Sequence, residues 1–184
     1  DSSPVIQAEE IEEDQKKDPY FDMAGIMQEQ VQLLYKKKAS LNKTSTFKSE
    51  KSENTWTPDS TGWEKALNIF LDVDINKPVL QGQYNIEDKP SEEGKIRVYK
   101  SDADKNVEIP LLKVYYQDTL ANFYKIEAVK ENENALYFTR SNLMASFTKN
   151  SSEKPELVSY QIDGKQKMIF KDTVLFSTSG KIQY

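Results

Sequence analysis

From Ile109 to Tyr184 the chain reads IPLLKVYYQDTLANFYKIEAVKENENALYFTRSNLMASFTKNSSEKPELVSYQIDGKQKMIFKDTVLFSTSGKIQY. Short apolar and aromatic runs alternate here with polar links, the pattern of an antiparallel meander. Strands are expected near 109–116, 122–130, 135–140, 143–148, 157–163, 166–171 and 173–178. The links Asp118-Thr119, Asn132 to Asn134, Lys149 to Pro155, Asp163-Gly164 and Ser179-Gly180 are made of residues that bend a chain. Asp163-Gly164 is the strongest short-range hairpin signal among them, because an Asp-Gly pair suits a primed two-residue turn.

Upstream of this stretch the same period of two begins at Val79. Leu80, Gly82, Tyr84 and Ile86 alternate with polar partners, Pro90 to Gly94 makes a charged turn, and Ile96 and Val98 resume the alternation. Before Pro78 the period is helical. Trp63, Ala66, Leu67, Phe70 and Leu71 fall on one face, and Thr61 with Glu64 three residues on has the form of a capping box. Leu41 to Trp56 is rich in Thr, Ser and Lys with little to bury, which predicts an edge hairpin. An earlier helix is predicted from Asp18 as N-cap and Pro19 at the first helical position. Its apolar stripe is Met23, Ile26, Met27, Val31, Leu34 and Tyr35, and Lys36, Lys37 and Lys38 close it. Residues 1–17 carry an acidic run with few large apolar side chains and read as a disordered tether; 18–184 read as one α+β domain. The expected architecture is two N-terminal helices packed on a curved antiparallel sheet, a half-barrel of about eight to ten strands.

Composition narrows the chemistry. The 184 residues contain neither His nor Cys. Ser-His-Asp and Cys-His mechanisms, disulfides, thiolate ligands and imidazole ligands are therefore excluded. The net charge of −5, with Arg97 and Arg140 the only arginines, argues against nucleic acid as a partner. No uninterrupted apolar run reaches the length of a membrane span.

The remaining motifs are incomplete. Asp72, Asp74, Asn76 and Asp102, Asp104, Asn106 share the opening spacing of a calcium loop. The glycine needed at the sixth position is Lys77 or Val107, and the bidentate Glu needed at the twelfth is Gln83 or Lys113. Ser-x-x-Lys pairs at Ser40/Lys43, Ser45/Lys48, Ser146/Lys149 and Ser151/Lys154 lack the apolar setting that would depress a lysine pKa. Glu87, Asp88, Glu92, Glu93, Glu131 and Glu133 fall in expected turns, which leaves Glu127, between Ile126 and Ala128, as the acid whose burial matters for carboxylate chemistry. No Gly-rich phosphate loop is present, and no cofactor or metal site is expected. Lys36 to Lys38, Lys43, Lys48 and Lys51 form a basic stretch that reads either as solvated surface or as a contact for anionic lipid headgroups. Aromatics at strand period read either as core or as the lining of a groove.

The Asp-Pro-Tyr-Phe-Asp at 18–22, the Asp-Val-Asp-Ile-Asn-Lys-Pro at 72–78 and the Tyr-Gln-Ile-Asp-Gly-Lys-Gln-Lys-Met-Ile-Phe at 160–170 carry a resemblance. With the acidic tail before them, they resemble uncharacterised cell-envelope lipoproteins of Bacteroidetes-type bacteria, over nearly the whole chain after the tail. The layout is also similar to lipoprotein-carrier half-barrels, in which a curved sheet wraps helices around an apolar cavity. The resemblance implies an envelope location, periplasmic or at the outer membrane, with a lipid anchor on a residue upstream of Asp1. It carries no known activity. The expectation is a non-enzymatic protein that binds an apolar ligand, a lipid or an acyl chain, between sheet and helices. Trp63, Phe70, Tyr84, Tyr124 and Tyr137 are the candidate ligand-binding residues. An interaction or assembly module without a pocket is the first alternative, and a histidine-free carboxylate hydrolase the second. Oligomeric state is left open.

Overall fold

Helix α1 spans Met23–Lys36. It begins where the Asp22 carboxylate accepts a hydrogen bond from the Gly25 N–H (2.9 Å), satisfying one orphan donor of the first turn. The computed structural model describes residues 19–184, so the expected tether over 1–17 lies outside the described residues. Met23, Met27, Val31 and Leu34 are buried, as the stripe predicts. The helix closes with Lys38 N–H donating to Tyr35 O and Ala39 N–H to Leu34 O, each 3.0 Å, while Lys38 adopts φ +53°. This is a Schellman closure with lysine at the left-handed position that usually belongs to glycine.

The chain continues through β1 (Ser40–Phe47), β2 (Glu50–Trp56) and α2 (Ser60–Leu71). A short 3-10 turn, Pro78–Leu80, then leads into β3 (Tyr84–Ser91), β4 (Gly94–Ser101) and β5 (Leu111–Tyr116). A second 3-10 turn, Leu120–Asn122, precedes β6 (Phe123–Glu133), β7 (Tyr137–Lys149), β8 (Pro155–Met168) and β9 (Val174–Gln183). The nine strands of the described residues form one antiparallel sheet in the order β2-β1-β9-β8-β7-β6-β5-β4-β3, open and curved like a half-barrel. From β3 to β9 it is a plain meander. The early hairpin is then sewn to the last strand, with Leu41 opposite Ile182 and Phe47 opposite Phe176.

Leu112, Val114, Ile126, Ala128, Leu143, Ala145, Leu157, Tyr160 and Ile182 of the sheet share one buried cluster with the helix residues Met23, Met27, Leu34, Trp63, Leu67 and Phe70. The alternation that selects these sheet residues is broken twice. Opposite Tyr115 and Tyr116 stand Lys125 and Phe123, so Tyr124 is an extra residue in β6. Opposite Ser146 and Phe147 stand Ser159 and Leu157, so Val158 is an extra residue in β8. Each β-bulge moves the buried phase by one residue, which is why Phe123 and Ile126, and likewise Leu157 and Tyr160, are buried three apart.

Several expectations are corrected. The helices are not both N-terminal to the sheet, because the β1–β2 hairpin separates them and β1 is an interior strand. Helix α1 starts at Met23, with Asp22 in place of Asp18 as its cap, and Pro19 precedes the helix. Helix α2 is capped by Asp59, whose carboxylate accepts the Gly62 N–H at 2.7 Å, and Thr61 already lies inside it. The expected strands at 135–140 and 143–148 are one strand, β7, and those at 157–163 and 166–171 fall largely in one strand, β8. Asp163-Gly164 is mid-strand and not a hairpin. Gly164 faces Phe176 across the β8–β9 pair, and a Cβ on it would come within 2.2 Å of the Phe176 ring. Ser179-Gly180 is equally inside β9, where Gly180 lies opposite Tyr160 and a Cβ would meet that ring at 2.2 Å. Both glycines make room for an aromatic ring lying across them from the neighbouring strand.

Candidate functional site

The expected site residues divide between two places. Trp63 and Phe70 are wholly buried and Tyr84 nearly so, and all three belong to the shared core. The Phe70 ring meets Tyr160 edge-on at 5.7 Å, and Tyr20 meets Tyr84 edge-on at 5.4 Å, contacts favourable to the ring quadrupoles. The Tyr84 hydroxyl donates to Ile109 O at 2.7 Å, and burial first, then the neighbouring Tyr20 and Glu108, pushes its ionisation far above the usual phenol range. Trp63 Nε1 and the Tyr160 hydroxyl are also buried, yet neither has a hydrogen-bond partner among the described residues. Tyr124 stands apart in the β6 bulge, against Tyr115 at 6.2 Å. Tyr137 lies at an end of the sheet and is half-exposed. The structure therefore brings Trp63, Phe70 and Tyr84 into one cluster and leaves Tyr124 and Tyr137 outside it.

Asp72, Glu108 and Glu156 are held by lysines. Lys130, almost wholly buried, reaches Asp72 at 3.0 Å and Glu108 at 3.1 Å, and Lys77 reaches the other Glu108 oxygen at 3.3 Å. Burial raises the Glu108 pKa, and the two ammonium groups outweigh it, so the carboxyl ends below its ordinary value. Glu156, the most buried acid among the described residues, is treated in the same way by burial against Lys37 and the Asn150 amide. Asn76 trades two hydrogen bonds with the Tyr20 backbone, 2.7 and 3.1 Å, and Asp74 accepts the Asn76 N–H at 2.8 Å. The Asp72–Asn76 stretch is thus a junction between α2 and the chain before α1. Glu127 accepts from the Tyr115 hydroxyl at 2.9 Å and meets Lys125 and Lys113 on a partly exposed surface. Among the described residues no group of three or more acids gathers as a metal cluster would require, and no helix is long and apolar enough to cross a membrane.

A second feature stands where the β6–β7, β8–β9 and β1–β2 connections meet. Phe170 is fully exposed (103%), and beside it Leu136 (67%), Leu175 (66%), Phe47 (53%), Ile169 (48%) and Met168 (40%) reach solvent. Three register pairs put these residues at one end of the sheet: Tyr137 opposite Met168, Gln166 opposite Val174, and Phe47 opposite Phe176. An open cleft of about 500 Å³ runs between Leu136, Tyr137, Met168 and Phe170. Phe170 takes φ +58°, a conformation that costs a residue with a Cβ roughly 1–2 kcal/mol. The loops are tied to one another. Ile169 N–H donates to Leu136 O (3.0 Å) and Lys48 N–H to Leu175 O (3.2 Å), while Asn134 Oδ1 accepts the Leu136 and Tyr137 amides at 2.8 and 3.0 Å.

Sequence reading identified Tyr137 here and missed the rest, because Met168, Ile169 and Phe170 form an apolar run of the kind expected in a strand. The signal that could have found them is the following Lys171-Asp172, which ends the strand early and leaves that run at a turn. An exposed apolar cluster on a chain of low hydropathy (mean −0.75) marks a contact surface more often than an accident of composition. No family model, curated protein or solved structure matches this chain.

Proposed function

We propose that this is a non-enzymatic contact domain of the bacterial cell envelope, and that its working surface is the apolar loop end around Phe170. The observation that carries this reading is the full exposure of Phe170 in a left-handed backbone, with Leu136 and Leu175 two-thirds exposed beside it. Burying such side chains against a partner gains roughly 1.5–3 kcal/mol each, and inside the chain they gain nothing. The absence of His and Cys and the pairing of Glu108 and Glu156 with lysines support a binding role over a carboxylate hydrolase. The resemblance of 18–22, 72–78 and 160–170 to envelope lipoproteins supports the location.

In this reading the helices lie against the concave face of the half-barrel and fill it. The edge-on Phe70–Tyr160 contact supports this, as does Gln30, which donates to Pro155 O at 3.0 Å and accepts the Leu157 N–H at 2.8 Å. A hydrophobic dye such as anilinonaphthalene sulfonate tests the proposal. Its fluorescence with the native protein is expected to fall severalfold in the Phe170→Ser/Leu136→Ser double variant. An unchanged signal in a folded variant would show that the accessible apolar surface is elsewhere.

A second reading keeps the expected apolar ligand between helices and sheet. The unpartnered Trp63 Nε1 and Tyr160 hydroxyl favour it, since a polar atom of a bound molecule would satisfy them. Native mass spectrometry of protein purified from its source separates the two. A retained small molecule supports uptake, and the bare chain mass supports the contact domain.

A further inference from the structure

The loop end has a second chemical character beside its apolar one. Lys48, Lys165, Lys167 and Lys171 surround the exposed Phe47, Leu136, Ile169, Phe170 and Leu175, and all of these lysines are exposed. Among the described residues they enter none of the ion pairs, although the chain as a whole carries −5. The acids at this end are Glu50, opposite Phe47, and Glu133 and Asp172 in the other loops. We infer that this end docks on a membrane surface bearing anionic phospholipid headgroups, with the apolar side chains entering the headgroup–acyl boundary; this rests on the contact-surface reading above.

Three observations favour lipid over a protein groove. First, the apolar side chains project separately from different loops, and Phe170 touches little of its own chain. A fluid boundary accepts such a set without matched pockets, whereas a protein partner would need one for each. Second, part of the backbone at the tip is already paired. Ile169, Leu136, Tyr137, Lys48 and Lys171 all donate their N–H groups within the loops, at 2.8–3.2 Å, so leaving water strands none of those donors. Third, lysine stems can lie along apolar surface while the ammonium groups stay at headgroup level, which is the arrangement this ring of lysines offers. Residues 19–184 carry 23 basic and 23 acidic side chains, so an excess of lysine at this end leaves the rest of the domain correspondingly acidic, and an anionic surface attracts this end first.

Vesicle co-sedimentation tests the inference, using phosphatidylcholine vesicles with and without phosphatidylglycerol. The native protein is expected to sediment with the mixed vesicles and much less with phosphatidylcholine alone, and added salt should weaken the association. Lys167→Glu and Lys171→Glu should each weaken it about fivefold or more. Phe170→Ser/Leu136→Ser should weaken it about tenfold or more. These side chains are exposed, so thermal melts should confirm that the variants fold. Failure to sediment with the mixed vesicles, or sedimentation that both sets of variants leave unchanged, overturns the membrane inference. Sedimentation velocity then separates the two levels of the argument. If vesicles do not bind but the native protein self-associates and the serine pair does not, the surface is a contact site for a second copy and the membrane inference alone falls. If neither vesicle binding, self-association nor dye binding depends on the serine pair, both readings fall.

Discussion

Lys38 ends α1 at φ +53°, where a side chain crowds the following carbonyl and glycine does not. Lys38→Gly is therefore expected to raise stability by about 0.5–1 kcal/mol, seen as a melting temperature higher by roughly 2–3 °C. Tyr160 gives a prediction of different origin. Its hydroxyl is buried without a partner among the described residues, and burial alone pushes its ionisation up to about 12. Tyr160→Phe removes a desolvated group and should leave stability unchanged or raise it by about 1 kcal/mol in denaturant titrations. A loss larger than about 1 kcal/mol would reveal a hydrogen-bond partner, as the ligand-uptake reading requires. The same tyrosine shows why single residues mislead a sequence reader. Gly180 looks like punctuation after Ser179, yet its role is to lie beneath the Tyr160 ring, which comes from another strand. Gly164 under Phe176 repeats the arrangement. In both cases the reason for the glycine lies across the ladder, where local sequence carries no trace of it.

Both helices were legible as elements from their apolar stripes, and their caps were not. Asp22 and Asp59 compete as cap candidates with Asp18 and Thr61, and only the path of the chain into the helix decides between them. The strands show the opposite balance. Their existence was readable from period two, but the bulges at Tyr124 and Val158 change phase within a strand, so Tyr124 reads as an inward residue of a groove when it is the extra residue of a bulge. The loop end was hidden for a related reason, since Met168-Ile169-Phe170 reads as strand interior. The sheet's two edges bear their own prediction. Strand β2 (EKSENTW) is charged and exposed along most of its length, and β3 carries Glu87, Asp88, Lys89 and Pro90. Charges and proline on an edge discourage pairing with another chain's edge. Replacing Glu87, Lys89 and Pro90 together with Thr should produce concentration-dependent association by light scattering, without lowering the melting temperature of the dilute protein.

At the scale of the whole molecule, the missing histidines become a pH profile. Glu108 and Glu156 are held below the ordinary glutamate value of 4.5, and Asp88, gripped by Arg97, below 3.8. Groups depressed in the fold contribute stability above their unfolded values and lose it as pH falls through the folded ones, so acid destabilisation begins below 4.5. Tyr115 and Tyr160 are raised from 10 to about 12, Tyr115 by burial and its bond to Glu127, and their contribution is lost as pH rises beyond 10. No side chain has an ordinary pKa between these limbs, so the melting temperature should be flat from about pH 5.5 to 9.5. A step near neutrality in a pH series of melts would contradict this. Glu156→Gln should make the acid limb shallower.

The pairing of β1 with β9 bears on how the protein is made. Strands β4 to β9 can each zip onto the strand made just before, as β2 does onto β1. Strand β1 must instead hold an unfilled side until β9, the last strand, has been synthesised. The nascent chain thus carries an open template, Ser40–Phe47, while β2 to β8 are made, and the sheet closes when β9 emerges. That open side is mostly Ser, Thr, Asn and Lys, a composition that keeps the waiting strand hydrated until its partner arrives.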